Sequence, residues 1–136
     1  MTDRRRVFTL PEVKAVFSSE YSALLGKFTE TILTLDKADS DVSGPANSPG
    51  IYIFWKEEYG VIKVGKSQAN SRVRALQQIR DNSKADGLEM KSLKGDPETY
   101  LLLLNILLPQ DMHWILGLEY YLEKNLYPYI PQGRVG

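Results

Sequence analysis

Cysteine is absent and His113 is the one histidine, which excludes thiol nucleophiles, zinc–thiolate sites and histidine metal clusters. Any metal must then be held mainly by carboxylates. Glu119 stands out among these, because it lies between Leu118 and Tyr120 in a stretch dense in apolar side chains, where a carboxylate needs a specific partner. Glu123, four residues on, reads as a surface carboxylate. An imidazole is a common general base, but no neighbouring pattern assigns His113 a role and it is read as structural. Arg72, Arg74 and Arg80 share one short segment, and a planar guanidinium can grip an oxyanion through two donors. On a helix Arg72 and Arg74 would be separated by about 200°, so they should not share a face.

The elements that must carry these residues follow from hydrophobic spacing. From Pro11 to Lys37, the residues Val13, Val16, Phe17, Tyr21, Leu24, Leu25, Phe28, Ile32 and Leu35 recur at threes and fours, as in an amphipathic helix. Thr9 can cap it, and Ser18-Ser19-Glu20 can split it, so one long helix and two shorter ones both fit. Asp36 to Gly50 is rich in turn formers and reads as an exposed linker. Ile51–Trp55 and Val61–Val64 are short apolar runs joined by KEEYG, predicting a buried antiparallel hairpin.

After Gly65, Val73, Leu76 and Ile79 form one helical stripe, with Asn70 or Ser71 as cap. Leu88, Met90 and Leu93 fit either a short strand or a helical turn. Tyr100–Leu108 reads as a strand buried on both faces, with a buried helix as the competing reading. Asp111–Tyr127 has helical spacing and is ended by Pro128. Its tyrosines, with Tyr129, can stack on bases but more often complete a core or an interface.

At 136 residues the chain fits one compact unit with an elaborated N-terminus. The start MTDRRRVFTL lacks the apolar run and cleavage site of a secretory signal, and no stretch approaches the roughly 20 apolar residues of a membrane span. A cytoplasmic protein without membrane contact is expected. Formal net charge is zero, which supplies no overall attraction for phosphate backbones.

Three features follow in order: PGIYIFW, then IKVGKS with an arginine-bearing helix, then LEYYLEKNLYP. Together they resemble the GIY-YIG nuclease family from Pro49 to Pro131. That family pairs a Gly-Ile-Tyr strand with a Tyr-Ile-Gly strand and follows them with a helix bearing a functional arginine. Here Gly50-Ile51-Tyr52 matches, Lys63-Val64-Gly65 takes the second position, and Arg72-Val73 echoes the arginine–valine pair. A later signature sets a glutamate before leucine at three, proline at nine and asparagine at twelve residues. Glu119, Leu122 and Pro128 reproduce the first three members, while Pro131 stands at the fourth and Lys63 replaces the second tyrosine.

The resemblance implies an α/β fold: a small, mainly antiparallel three-stranded sheet flanked by helices over residues 49–136, with residues 1–48 as an N-terminal helical extension and linker. It implies metal-dependent endonuclease activity, the hydrolysis of DNA phosphodiester bonds with magnesium or another divalent cation. Tyr52, Arg72 and Glu119 would be catalytic: Tyr52 as general base, Arg72 on the scissile phosphate, and Glu119 as metal ligand. Lys63 and Lys66 would bind substrate, and Arg74 and Arg80 are rivals to Arg72. DNA is the expected partner, and the N-terminal helices offer a face for self-association. The alternative is a degenerate, non-catalytic module that binds nucleic acid or protein, motivated by Lys63, Pro131 and the zero net charge.

Overall fold

The computed structural model describes residues 7–20, 26–40, 44–82, 84–85 and 87–131. Its centre is a four-stranded antiparallel sheet in the order β1-β6-β2-β3, formed by β1 (Phe28–Thr34), β2 (Gly50–Lys56), β3 (Gly60–Ser67) and β6 (Tyr100–Ile106). Helices α1 (Leu10–Glu20), α2 (Leu35–Ala38), α3 (Ser71–Arg80) and α4 (His113–Leu126) surround it. A short hairpin of β4 (Lys84–Ala85) and β5 (Leu88–Glu89), then a 3-10 turn over Met90–Leu93, link α3 to β6.

Strand β6 alternates between two cores, as a strand buried on both faces must. Leu102 and Leu104 join Val13 and Phe17 of α1 and Ile115, Leu118, Leu122 and Leu126 of α4. Leu101 and Leu103 turn the other way, against Ala75 and Ile79 of α3 with Leu88, Met90 and Leu93. Helices α1 and α4 therefore cover one face, and α3 with its following hairpin covers the other.

Helix α1 begins at a reciprocal cap: Thr9 Oγ1 accepts from the Glu12 amide at 3.3 Å, and Glu12 Oε1 accepts from the Thr9 amide at 2.9 Å. The remaining N-terminal helix is corrected. Phe28–Thr34 is a strand paired with β6, making four strands where three were expected. Phe28 and Ile32 are four apart, a spacing compatible with period two as well as with a helical turn, and the β-branched Thr29, Thr31, Ile32 and Thr34 favour the extended form. Tyr21, Leu24 and Leu25 of the expected helix lie outside the described residues. The stripe of Val13 and Phe17, expected as a face for self-association, is buried within the chain, where Phe17 meets Phe28 edge-on at 5.8 Å.

The expected hairpin is present, with Gly60 at φ 72° closing the turn and an irregular register between Phe54 and Trp55. Helix α4 ends with Tyr127 in the left-handed region, φ 49°, just before Pro128. Beyond it, the amides of Tyr129 and Ile130 donate to the carbonyls of Val61 and Ile62, so the C-terminal segment covers that part of the β3 edge.

Candidate functional site at the β3 edge

Tyr52 and Gly65 are opposite one another in the β2–β3 register. A Cβ at position 65 would overlap the Tyr52 ring carbon and hydroxyl, so the phenol lies across the space that the glycine leaves. Phe54 meets Tyr52 edge-on at 5.9 Å from the same strand face. Phe54 is in turn opposite Lys63, which puts Tyr52, Phe54, Lys63 and Gly65 on one face of the hairpin. Ile62 is the residue without a partner in the shifted register, and such an irregularity re-aims neighbouring side chains.

Lys66 is opposite Ile51, one residue out of phase with Tyr52, and so starts from the other face of the sheet. Glu119 also comes from that other face, on α4. Its neighbour Leu118 packs into the core, α4 packs against β3, and the charges of Glu119 and Glu123 both act on Lys63 of that strand. Because β3 is an edge strand, charges from α4 can act past it on the hairpin's α3-facing side.

The arginine assignment changes. Of the expected stripe of Val73, Leu76 and Ile79, Ile79 is buried and Leu76 packs against the core, but Val73 is exposed; Ser71, Arg72, Ala75 and Gln78 make up the rest of the buried face. Residues Gly44–Pro49 set this rotation. The Ser71 amide donates to the Ser48 carbonyl at 3.0 Å, and Ser71 Oγ donates to the Ala46 carbonyl at 3.3 Å. Asn105 Nδ2 donates to the Ser48 carbonyl and to Ser71 Oγ, each at 2.8 Å, tying both to β6. Gly50 permits that approach, since a Cβ there would strike Leu104 and Asn105. The first turn of α3 is held, and Arg72 is directed inward.

Arg72 Nε donates to Asn47 Oδ1 at 2.8 Å and its Nη1 donates to the Ala38 carbonyl at 2.7 Å. It is 7% exposed. Its fork is committed to the segment before β2, which was expected as an exposed linker but buries Ala38 and Ala46. Arg74 is exposed and acts electrostatically on both Tyr52 and Lys63. Arg80 lies elsewhere, beside a cavity of about 160 Å³ that it lines with Leu35, Asp39 and Lys94.

Electrostatics defines the rest of the cluster. Burial pushes the Tyr52 phenol up to about 12, against the pull of Arg74 and with the help of Glu119. Lys63 is 5% exposed, and burial draws its pKa below the ordinary lysine value. Glu123 and Glu119 oppose that shift and Arg74 adds to it. Glu123, read as a surface carboxylate, thus belongs to the site: it is half-buried and acts on Lys63 more strongly than Glu119 does. Two cations, two carboxylates and one phenol converge, with formal charges that sum to zero. His113 is exposed at the start of α4, against Trp114.

Among the described residues, no three His, Asp or Glu side chains are grouped so as to hold a metal. Glu119 and Glu123 are one helical turn apart and act on the same ammonium, so they form a two-carboxylate set. Such a set fits magnesium, which is often held by one or two carboxylates together with waters and substrate phosphate. The α/β architecture with a four-stranded antiparallel sheet and four helices is plain, but the chain matches no family model, no curated protein and no solved structure.

Proposed function

We propose that this protein is a GIY-YIG-like endonuclease that hydrolyses DNA phosphodiester bonds at the β3 edge, using Tyr52, Lys63, Arg74, Glu119 and Glu123. The observation that carries this reading is the convergence on one edge of a buried phenol, two cations and two carboxylates that the sequence separates by up to 71 positions. Phosphodiester hydrolysis needs an oriented water and positive charge against the phosphoryl oxygens, and this set offers both.

Arg74, which is exposed and whose charge acts on Tyr52, is the guanidinium that grips the phosphate, in place of Arg72. Lys63 adds a point charge from the strand side. With its pKa near 12, Tyr52 stays protonated at neutral pH and serves as a fixed hydrogen-bonding group that orients the attacking water, not as a phenolate base. Glu119 and Glu123 would hold magnesium, which when bound supplies charge neutralisation at the phosphoryl and leaving oxygens. The test is incubation with DNA and magnesium beside Glu119→Ala: the substitution should abolish cleavage, and cleavage unchanged by it would remove the mechanism.

A second reading, binding of nucleic acid without hydrolysis, is favoured by Lys63 in place of the family's second tyrosine and by the raised Tyr52 pKa. Salt-sensitive DNA binding with no magnesium-dependent cleavage would select it.

A further inference from the structure

Lys63 stands where two carboxylates and an arginine act on one buried ammonium. From β2, Tyr52 lies on the same hairpin face; α3 and α4 both pack against β3, Lys63 and Glu119 are buried there, and the charges of Arg74, Glu119 and Glu123 act on Lys63. Before any ligand arrives, Lys63 and Arg74 already balance Glu119 and Glu123 in formal charge. A divalent cation entering alone would leave this edge with two excess positive charges. One phosphodiester group lowers that excess to one. Burial strengthens such interactions, because the local dielectric response is weaker than that of water.

We infer that Lys63 is an internal competitor for the divalent cation, so that Glu119 and Glu123 bind metal weakly in the free protein and strongly only when a phosphodiester is bound beside Arg74. The two ligands are thus coupled through Lys63, and the coupling is reciprocal: metal tightens the phosphodiester by the same factor by which the phosphodiester tightens metal. The inference rests on the reading of Glu119 and Glu123 as metal ligands. It assigns Lys63 a regulatory role that a neutral residue at that position would not have, since a neutral side chain leaves Arg74 as the one cation of this set against two carboxylates and so lowers the barrier to metal without substrate.

The experiment measures manganese binding to the full chain by the loss of the free-ion magnetic resonance signal, with and without dimethyl phosphate, a monoanionic phosphodiester. Wild type, Lys63→Met and Lys63→Gln are compared, each with and without Glu119→Gln; the two Lys63 substitutions are unbranched and neutral but differ in polarity, so concordance excludes a packing artefact. Both should bind manganese at least about tenfold more tightly than wild type, as expected for removing one nearby charge. Dimethyl phosphate should tighten manganese binding in wild type by a larger factor than in either variant, and Glu119→Gln should remove binding throughout. If Glu119-dependent binding is present but the Lys63 variants match wild type, the coupling is overturned and the metal site stands. If no chain shows Glu119-dependent binding, the metal site fails and the inference fails with it.

Discussion

The phenol of Tyr52 lies over Gly65, its partner across the β2–β3 ladder, and a Cβ at position 65 would occupy the phenol's place. The glycine is therefore a requirement of the tyrosine. Gly65→Ala should destabilise the fold by about 1–3 kcal/mol, the usual cost of overpacking, measured by urea denaturation. In a Tyr52→Ala background the same substitution should cost markedly less, and equal costs in the two backgrounds would show that the two residues do not compete for space.

That relationship was partly legible from sequence. Gly50-Ile51-Tyr52 and the glycine of Lys63-Val64-Gly65 marked the two strands, and KEEYG marked their turn, because short apolar runs bounded by charged and glycine residues have few other folds. The strand Phe28–Thr34 was not legible, since its i, i+4 spacing serves both periods and its pairing partner β6 lies about seventy residues further on. Nor was the rotation of α3. Val73, Leu76 and Ile79 make the more apolar stripe, but Arg72 can be buried because Ala38 and Asn47 supply its acceptors. No spacing rule announces a carbonyl from a distant turn. Glu123 reads as a surface carboxylate in the sequence, and the packing of α4 against β3 is what brings its charge to bear on Lys63.

The two arginines should separate cleanly in stability. Arg72→Ala removes the buried donors to the Ala38 carbonyl and to Asn47 Oδ1, which keeps Asn70 Nδ2 at 3.2 Å, and should cost roughly 2–3 kcal/mol. Arg74→Ala, on the exposed face, should change stability by no more than about 0.5 kcal/mol. Urea unfolding of both variants checks this, and a larger loss for Arg74 would reverse the assignment.

Tyr52 carries an alkaline signature. Its folded-state pKa of about 12 lies above the ordinary 10.0, so the stability it contributes is fully present below pH 10 and is lost as pH rises through 12. Tyr52→Phe should therefore flatten the fall in thermal midpoint between pH 9 and 12. Phenolate absorbance should show a late-ionising tyrosine in wild type that is missing from the variant.

An acid signature lies far from the site. Asp96 accepts from Lys56 Nζ at 2.7 Å, from Thr99 Oγ1 at 2.7 Å and from the Glu98 amide at 2.9 Å. The Lys56 bond is the main cause that draws its pKa down from 3.8 to about 2. A depressed carboxylate contributes stability above its unfolded pKa and loses it as pH falls through the folded one. Asp96→Asn should lower the melting temperature at pH 6 and do so progressively less as pH falls from about 4 to 2, whereas a pH-independent difference would contradict the shift.

The convergence at the β3 edge is tested most directly by the rate of magnesium-dependent DNA strand cleavage for wild type, Arg74→Ala and Arg80→Ala, purified side by side. Arg74→Ala should lose about 100-fold or more, the scale of removing one donor to a developing oxyanion, while Arg80→Ala stays within about twofold of wild type. Equal rates for wild type and Arg74→Ala, or no strand cleavage by wild type, would contradict the account.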